Sequence, residues 1–255
     1  MDFYAEKFVI FLLVFIRTLS MFATAPLFGN QAIPAQLKIW AGAFFAYAIF
    51  PLIAAGTPSV PLDLGSLVLL ALQEVVVGSA IGFSLGIIFY GITYAGDLLG
   101  IDMGFSISSV IDPQNGLNVP VIGQFQYMVA IFIFLILNGH LFLLQALKMS
   151  YSAVPVSGLK ISGRAVDTFV HLTGMVFVTA IKVGAPILIS LFLSDVLMGI
   201  ISRMVPQINV FFVGMPVKIG IGLFTLMASL PFFVYVFGKL LDVFEGDVVE
   251  LIRLM

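Results

Sequence analysis

Long apolar runs leave this chain few folds to choose from. Near residues 8–27, 39–56, 66–93, 121–147, 168–201 and 217–241 the sequence stays almost wholly apolar, for about the twenty residues that a helix needs to cross a bilayer or for longer. Charge is scarce: 11 Lys and Arg and 13 Asp and Glu in 255 residues, 9% charged against 61% hydrophobic. So little polar side chain cannot cover a soluble globule of this size, and the surroundings of most of the molecule must be lipid or other protein. The runs are rich in Leu, Ile, Phe and Ala on every face and do not alternate with period two, which predicts helices and argues against an outer-membrane barrel. The expected fold class is all-α, a polytopic membrane protein of about six long helices.

Several function classes fall away at once. A net charge of −2 with no basic tract gives nucleic acid nothing to bind. The absence of cysteine removes disulfides, thiolate catalysis and Cys-type zinc sites. His140 and His171 stand outside any H-E-x-x-H context, so neither a metal nor a cofactor is expected. Gly82-Phe83-Ser84-Leu85-Gly86 matches the G-x-S-x-G nucleophile elbow, but an elbow needs a strand-to-helix turn and this pentapeptide lies in a helical run. Met21, Met198, Met204 and Met215 are read as adaptable packing. Ala23-Thr24-Ala25 after an apolar run imitates a signal-peptide cleavage site. Asp2, Glu6 and Arg17 do not fit a positive n-region followed by a clean apolar one, so 8–27 is expected to be a retained helix.

The connections differ in kind. Residues 57–65 form a short Thr, Pro and Asp turn, whereas 94–119, YAGDLLGIDMGFSISSVIDPQNGLNV, is expected to be a long irregular loop with three aspartates. Loops of that length are usually functional or disordered, and this one keeps Met103, Phe105, Ile107, Val110 and Ile111 for packing. Runs 66–93 and 168–201 would extend roughly 40 to 50 Å as continuous helix, more than a bilayer core requires. Pro186 can kink the second, and Gly78, Gly82, Gly86 and Gly91 weaken the first. Lys7, Lys148, Lys160, Arg164, Lys239 and Arg253 fall on one side of the expected spans, against Lys38, Arg203 and Lys218 on the other. The positive-inside rule then puts both ends of the chain in the cytoplasm.

Arg17, Glu74, Lys182 and Asp195 interrupt apolar runs. Insertion scales charge roughly 2.5 to 3.5 kcal/mol for such a group at a helix centre, so all four should face protein or water. Gly78, Gly82 and Gly86 follow Glu74 in steps of four and make a small-residue stripe on which another helix can approach closely. Ion translocation and plain interhelical pairing both fit these charges, and pairing is the better supported because no substrate pattern accompanies them.

Three stretches in chain order, FIRTLSMFATAPLFGNQAIPAQLKIW at 15–40, AGDLLGIDMGFSISSVIDPQNG at 95–116 and LFLSDVLMGIISRMVPQINVFFVGMPVKIGIG at 191–222, together resemble the FliR family of the flagellar type III export gate, whose relatives serve virulence secretion. The resemblance implies a non-enzymatic subunit in the bacterial inner membrane, within the flagellar basal body. There it would join FliP-like and FliQ-like subunits, with a FlhB-like subunit as a further partner, in a ring through which unfolded flagellar proteins pass. It also implies a FliP-like part over 1–165 and a FliQ-like helical hairpin and tail over 166–255, with some helices kinked or in hairpins that do not span the membrane conventionally. In the family the middle loop helps plug the channel. Carried over, Gly100, Met103, Gly104, Phe105, Ile107, Asp112, Pro113, Asn115 and Gly116 would belong to the plug. The rival reading is an ion-coupled secondary transporter using Glu74, Lys182 and Asp195.

Overall fold

The computed structural model describes residues 2–29, 33–54, 60–61, 63–105, 120–160, 162–207 and 209–255. Among them every regular element is a helix: α1 (Asp2–Thr24), α2 (Ala35–Ala54), α3 (Leu64–Met103), α4 (Val121–Ile136), α5 (Gly139–Ala153), α6 (Gly163–Met204) and α7 (Val210–Leu254). Five of these are long and apolar enough to cross a membrane, and α4 with α5, bent by 70° at their junction, supply a sixth crossing if counted as one broken span. The protein is therefore an all-helical polytopic membrane protein.

Several expected boundaries move: α7 runs from Val210 to Leu254 where 217–241 is expected, because helical turns interrupted by Gly, Pro or charged residues extend the apolar run at its ends, and two differences bear on the site. The 94–119 connection does not begin at Tyr94, because α3 runs on to Met103. Glycine and aspartate at 96, 97, 100 and 102 suggested a loop, since each Gly costs a helix about 1 kcal/mol relative to Ala. Packing overrides that propensity: Ala95, Leu99 and Met103, four residues apart, are all fully buried, and a helix is the conformation that puts them on one face. The run 121–147 breaks in two. Asn138 adopts left-handed backbone (φ 59°) just before Gly139, as an Asn-Gly pair readily allows. By contrast α6 passes through Pro186 and α7 through Pro216 and Pro231 without ending.

The chain divides into two compact units. The first comprises 1–87, 138–173 and 242–255. Here α1 buries Ile10, Leu13, Val14, Arg17, Thr18, Met21 and Phe22, the three-and-four spacing of one helical face. Phe11 meets Phe50 of α2 edge-to-face at 5.8 Å, and Phe22 meets Phe45 at 5.5 Å. Ser162 caps α6 by accepting the Ala165 amide at 3.1 Å, while its hydroxyl donates to the Leu254 carbonyl at 2.8 Å and so ties the start of α6 to the end of α7.

The second unit comprises 88–137 and 174–241. Its core joins Leu99 and Met103 of α3 to Ile122 of α4, Ile187 and Leu191 of α6 and Leu226 of α7. Phe89 sits among Tyr127, Phe134 and Phe237, with ring centroids 5.4 to 5.9 Å away. Helices α3 and α4 approach at Gly96 and Gly123, where a Cβ on Gly96 would lie 2.6 Å from the Gly123 nitrogen. Only glycine permits that approach.

Candidate functional site

The polar groups gather in separate places, each built by helices that the apolar pattern already required. In the first unit Arg17 of α1 is 1% exposed and so is Glu74 of α3. Arg17 grips both carboxylate oxygens of Glu74, Nη2 donating to Oε1 at 3.0 Å and Nε to Oε2. Its Nη1 donates to the Val154 carbonyl at 2.9 Å and to Ser150 Oγ at 3.3 Å. The guanidinium also lies over the Tyr151 ring, 4.1 Å from its centroid, and the Tyr151 hydroxyl donates to the Val14 carbonyl at 3.2 Å. A bidentate pair whose remaining donors are satisfied is the arrangement that makes a charge tolerable in a low-dielectric interior. It locks α1, α3 and α5 together and leaves no loose proton acceptor for chemistry.

The glycine stripe lies on the same helix pair. A Cβ on Gly78 would collide with Ser20 Oγ and the Arg17 carbonyl, and one on Gly82 with Thr24 Oγ1 and the Met21 carbonyl, so α3 rests on the backbone of α1 from Arg17 to Thr24. Gly86, one turn on, is buried in α3. Ser84 of the G-x-S-x-G match is fully buried and donates to the Ala80 carbonyl of its own helix at 2.7 Å.

In the second unit Asp195 of α6 pairs with Lys218 of α7 at 2.6 Å. Lys218 also reaches Asp102 of α3, with 3.3 Å to its Oδ1 and 3.4 Å to its main-chain oxygen. A cation on a carbonyl of the last turn of α3 is favourably placed against the helix dipole. The cluster is partly open to solvent, with Asp195 47% exposed. Lys182 is exposed on α6. Glu74 and Arg17 thus meet each other, Asp195 meets a lysine singled out only as a basic residue of a connection, and Lys182 joins neither cluster.

Of the residues assigned to a plug, Gly100 and Met103 form the buried end of α3, and Gly222 of α7 gives Met103 its room: a Cβ there would stand 2.8 Å from the Met103 Cγ and Sδ. Gly104 leaves the helix with φ 93°, its amide bonding to the Ile101 carbonyl at 3.0 Å, and Phe105 is exposed. Ile107, Asp112, Pro113, Asn115 and Gly116 lie outside the described residues. Sequence reasoning missed Lys218 and Asp102 as partners. It also missed Asp97 and Gln126, whose Oδ1 and Oε1 are buried without a hydrogen-bond partner beside the Gly96–Gly123 crossing. The available signal was the pairing of Asp97 with a flanking glycine at helical spacing from Leu99 and Met103.

Residues 8–243 match the family described as "Bacterial export proteins, family 1". The chain belongs to that family. It is 36% identical over 229 residues to the flagellar biosynthetic protein FliR of Bacillus subtilis (88% of this chain, 87% of that protein) and 28% identical over 241 residues to FliR of Escherichia coli K12 (92% and 91%). It is 29% identical over 217 residues to the surface presentation of antigens protein SpaR of Shigella sonnei (83% and 81%). Taken with the helices, membership makes this a membrane component of bacterial type III protein export, of the kind that serves flagellum biogenesis.

Proposed function

We propose that the chain is a non-enzymatic core subunit of the flagellar type III export gate in the inner membrane, assembling with FliP-like and FliQ-like subunits and a FlhB-like partner, and that residues 100–116 help to close its channel to unfolded flagellar substrates. The observation that carries this reading is the root of the proposed plug. Met103 is held in the core by α4, α6 and α7, Lys218 holds Asp102, and the chain then turns out of α3 at Gly104. A closure element needs such a fixed base, because a loop hung from a frayed helix end would not hold a seal.

A FliP-like part over 1–165 and a FliQ-like hairpin over 166–255 belong to the same proposal. Two helices of 42 and 45 residues with only 205–209 between them, tied at their far ends by Ser162 and Leu254, support the hairpin. The transporter reading is weaker because Glu74 is engaged by Arg17 and Asp195 by Lys218; carboxylates already held by fixed cations are poor sites for a carried ion. Deleting 104–112 tests the plug. The expected result is a rise in ion conductance of the assembled complex with its subunits still associated, and unchanged conductance in an intact complex would refute the closure role.

A further inference from the structure

We propose that Lys182 pairs with a carboxylate presented by a neighbouring helical subunit, an inference that rests on reading the chain as one member of an export assembly. Lys182 stands near the middle of the 42-residue α6 and is the sole charged residue between 172 and 194, a stretch long enough by itself to cross the hydrocarbon core. Of the ionisable residues set into apolar runs, Arg17 and Glu74 hold each other and Asp195 is held by Lys218. Lys182 has no ion-pair partner among the described residues and faces outward, flanked along its helix by exposed Phe177, Val178, Ile181 and Ile189.

Four environments can receive such an ammonium. Water in a channel would solvate it, but a water-lined face would not carry the large apolar Phe177, Val178, Ile181 and Ile189 beside it. Lipid tails solvate it poorly. If 172–194 crosses the core, lipid headgroups lie about 15 Å from Lys182 at its centre, too far for a lysine stem to reach by snorkelling. A helix of another subunit, carrying one Asp or Glu at the same depth in an otherwise apolar run, supplies the opposite charge where Lys182 stands and covers its apolar flanks in the same contact. The inner face of α6 is already committed within the chain, since Thr179 packs against Gly91 and Ile187 lies in the core. The outer face that bears Lys182 is the one left for a partner.

The test uses the full chain co-produced with the other membrane subunits of its export apparatus, comparing wild type with Lys182→Arg, Lys182→Met and Lys182→Glu. Intact complex, recovered through a tag on another subunit, should be close to wild type for Lys182→Arg, several-fold lower for Lys182→Met and lost for Lys182→Glu. An Asp or Glu to Lys change in the neighbouring subunit should restore the Lys182→Glu complex. Thermal unfolding of the isolated Lys182→Met chain should match wild type, and a drop there would overturn the proposal by revealing a role inside the chain. Lys182→Met complexes recovered at wild-type yield would overturn it as well. So would native mass spectra in which the Met variant lost only a bound anionic phospholipid. Failure of the wild-type chain to associate with the other subunits would instead refute the export-subunit reading.

Discussion

Arg17 makes bonds with all three guanidinium nitrogens, to a carboxylate, a hydroxyl and a carbonyl, and covers an aromatic ring besides. Removing one member of such a set leaves the other charge buried and unpaired, a loss of about 3 to 5 kcal/mol. Arg17→Ala and Glu74→Gln should therefore both lower the unfolding temperature of the detergent-solubilised chain sharply. Arg17→Lys should not rescue, because an ammonium cannot reproduce the bidentate fork. The double change Arg17→Met with Glu74→Leu should be less harmful than either loss alone, since it removes both charges together. Strictly additive losses in that cycle would mean that the two residues do not act as a pair. A milder effect belongs to Asp63, outside the spans, whose carboxyl is held below its usual range by the Ser66 amide. A depressed folded value means that the cap is at full strength above the unfolded value and is lost as pH falls through the folded one. The protection of the Ser66 amide relative to its intrinsic exchange rate should fall with acid, and Asp63→Asn should abolish that dependence.

At the level of single helices, glycine position decides whether a substitution harms or helps. Gly82 lies against the backbone of α1, whereas Gly174 and Gly199 on α6 have open space where a Cβ would go. Gly82→Leu should therefore destabilise the isolated chain, while Gly174→Ala should stabilise it by up to about 1 kcal/mol through helix propensity. Thermal melts of both variants check this, and equal melts would show that α3 and α1 do not approach as closely as their glycines allow. The stripe itself was legible because Gly78, Gly82 and Gly86 repeat at the helical period within an apolar run. So were the helices, from apolar length alone. The end of α3 was not, because Gly96, Asp97, Gly100 and Asp102 weigh toward a loop locally, and only the burial of Leu99 and Met103 by α4, α6 and α7 reverses the balance. The break at Asn138 was written in the Asn-Gly pair but masked by apolar residues on both sides. Lys218 and Asp102 lie 116 positions apart, and no local pattern reports a pairing of that kind.

Across the whole molecule the helices are covered unevenly. In their most apolar windows α3 is 67% buried within the chain, against 33% for α6, 17% for α7 and 11% for α2. Helix α3 is therefore a core helix, and α2 and α7 present most of their apolar surface to whatever surrounds the protein. On α2 the exposed residues Leu37, Trp40, Phe44 and Tyr47 form one stripe, while Gly42 and Ala46 are buried on the opposite side. In an isolated chain within a bilayer that stripe has only lipid to meet. Trp40 is the single tryptophan and is 73% exposed. It lies less than two turns from the start of α2 and two residues from Lys38, the place where an amphipathic indole settles at the headgroup level. Its fluorescence should be quenched by brominated phospholipids, more strongly when the bromines sit high on the acyl chain than when they sit near its end. Equal quenching at both depths would place Trp40 away from the interface, and no quenching at either depth would mean that α2 is not a lipid-facing span in the isolated chain.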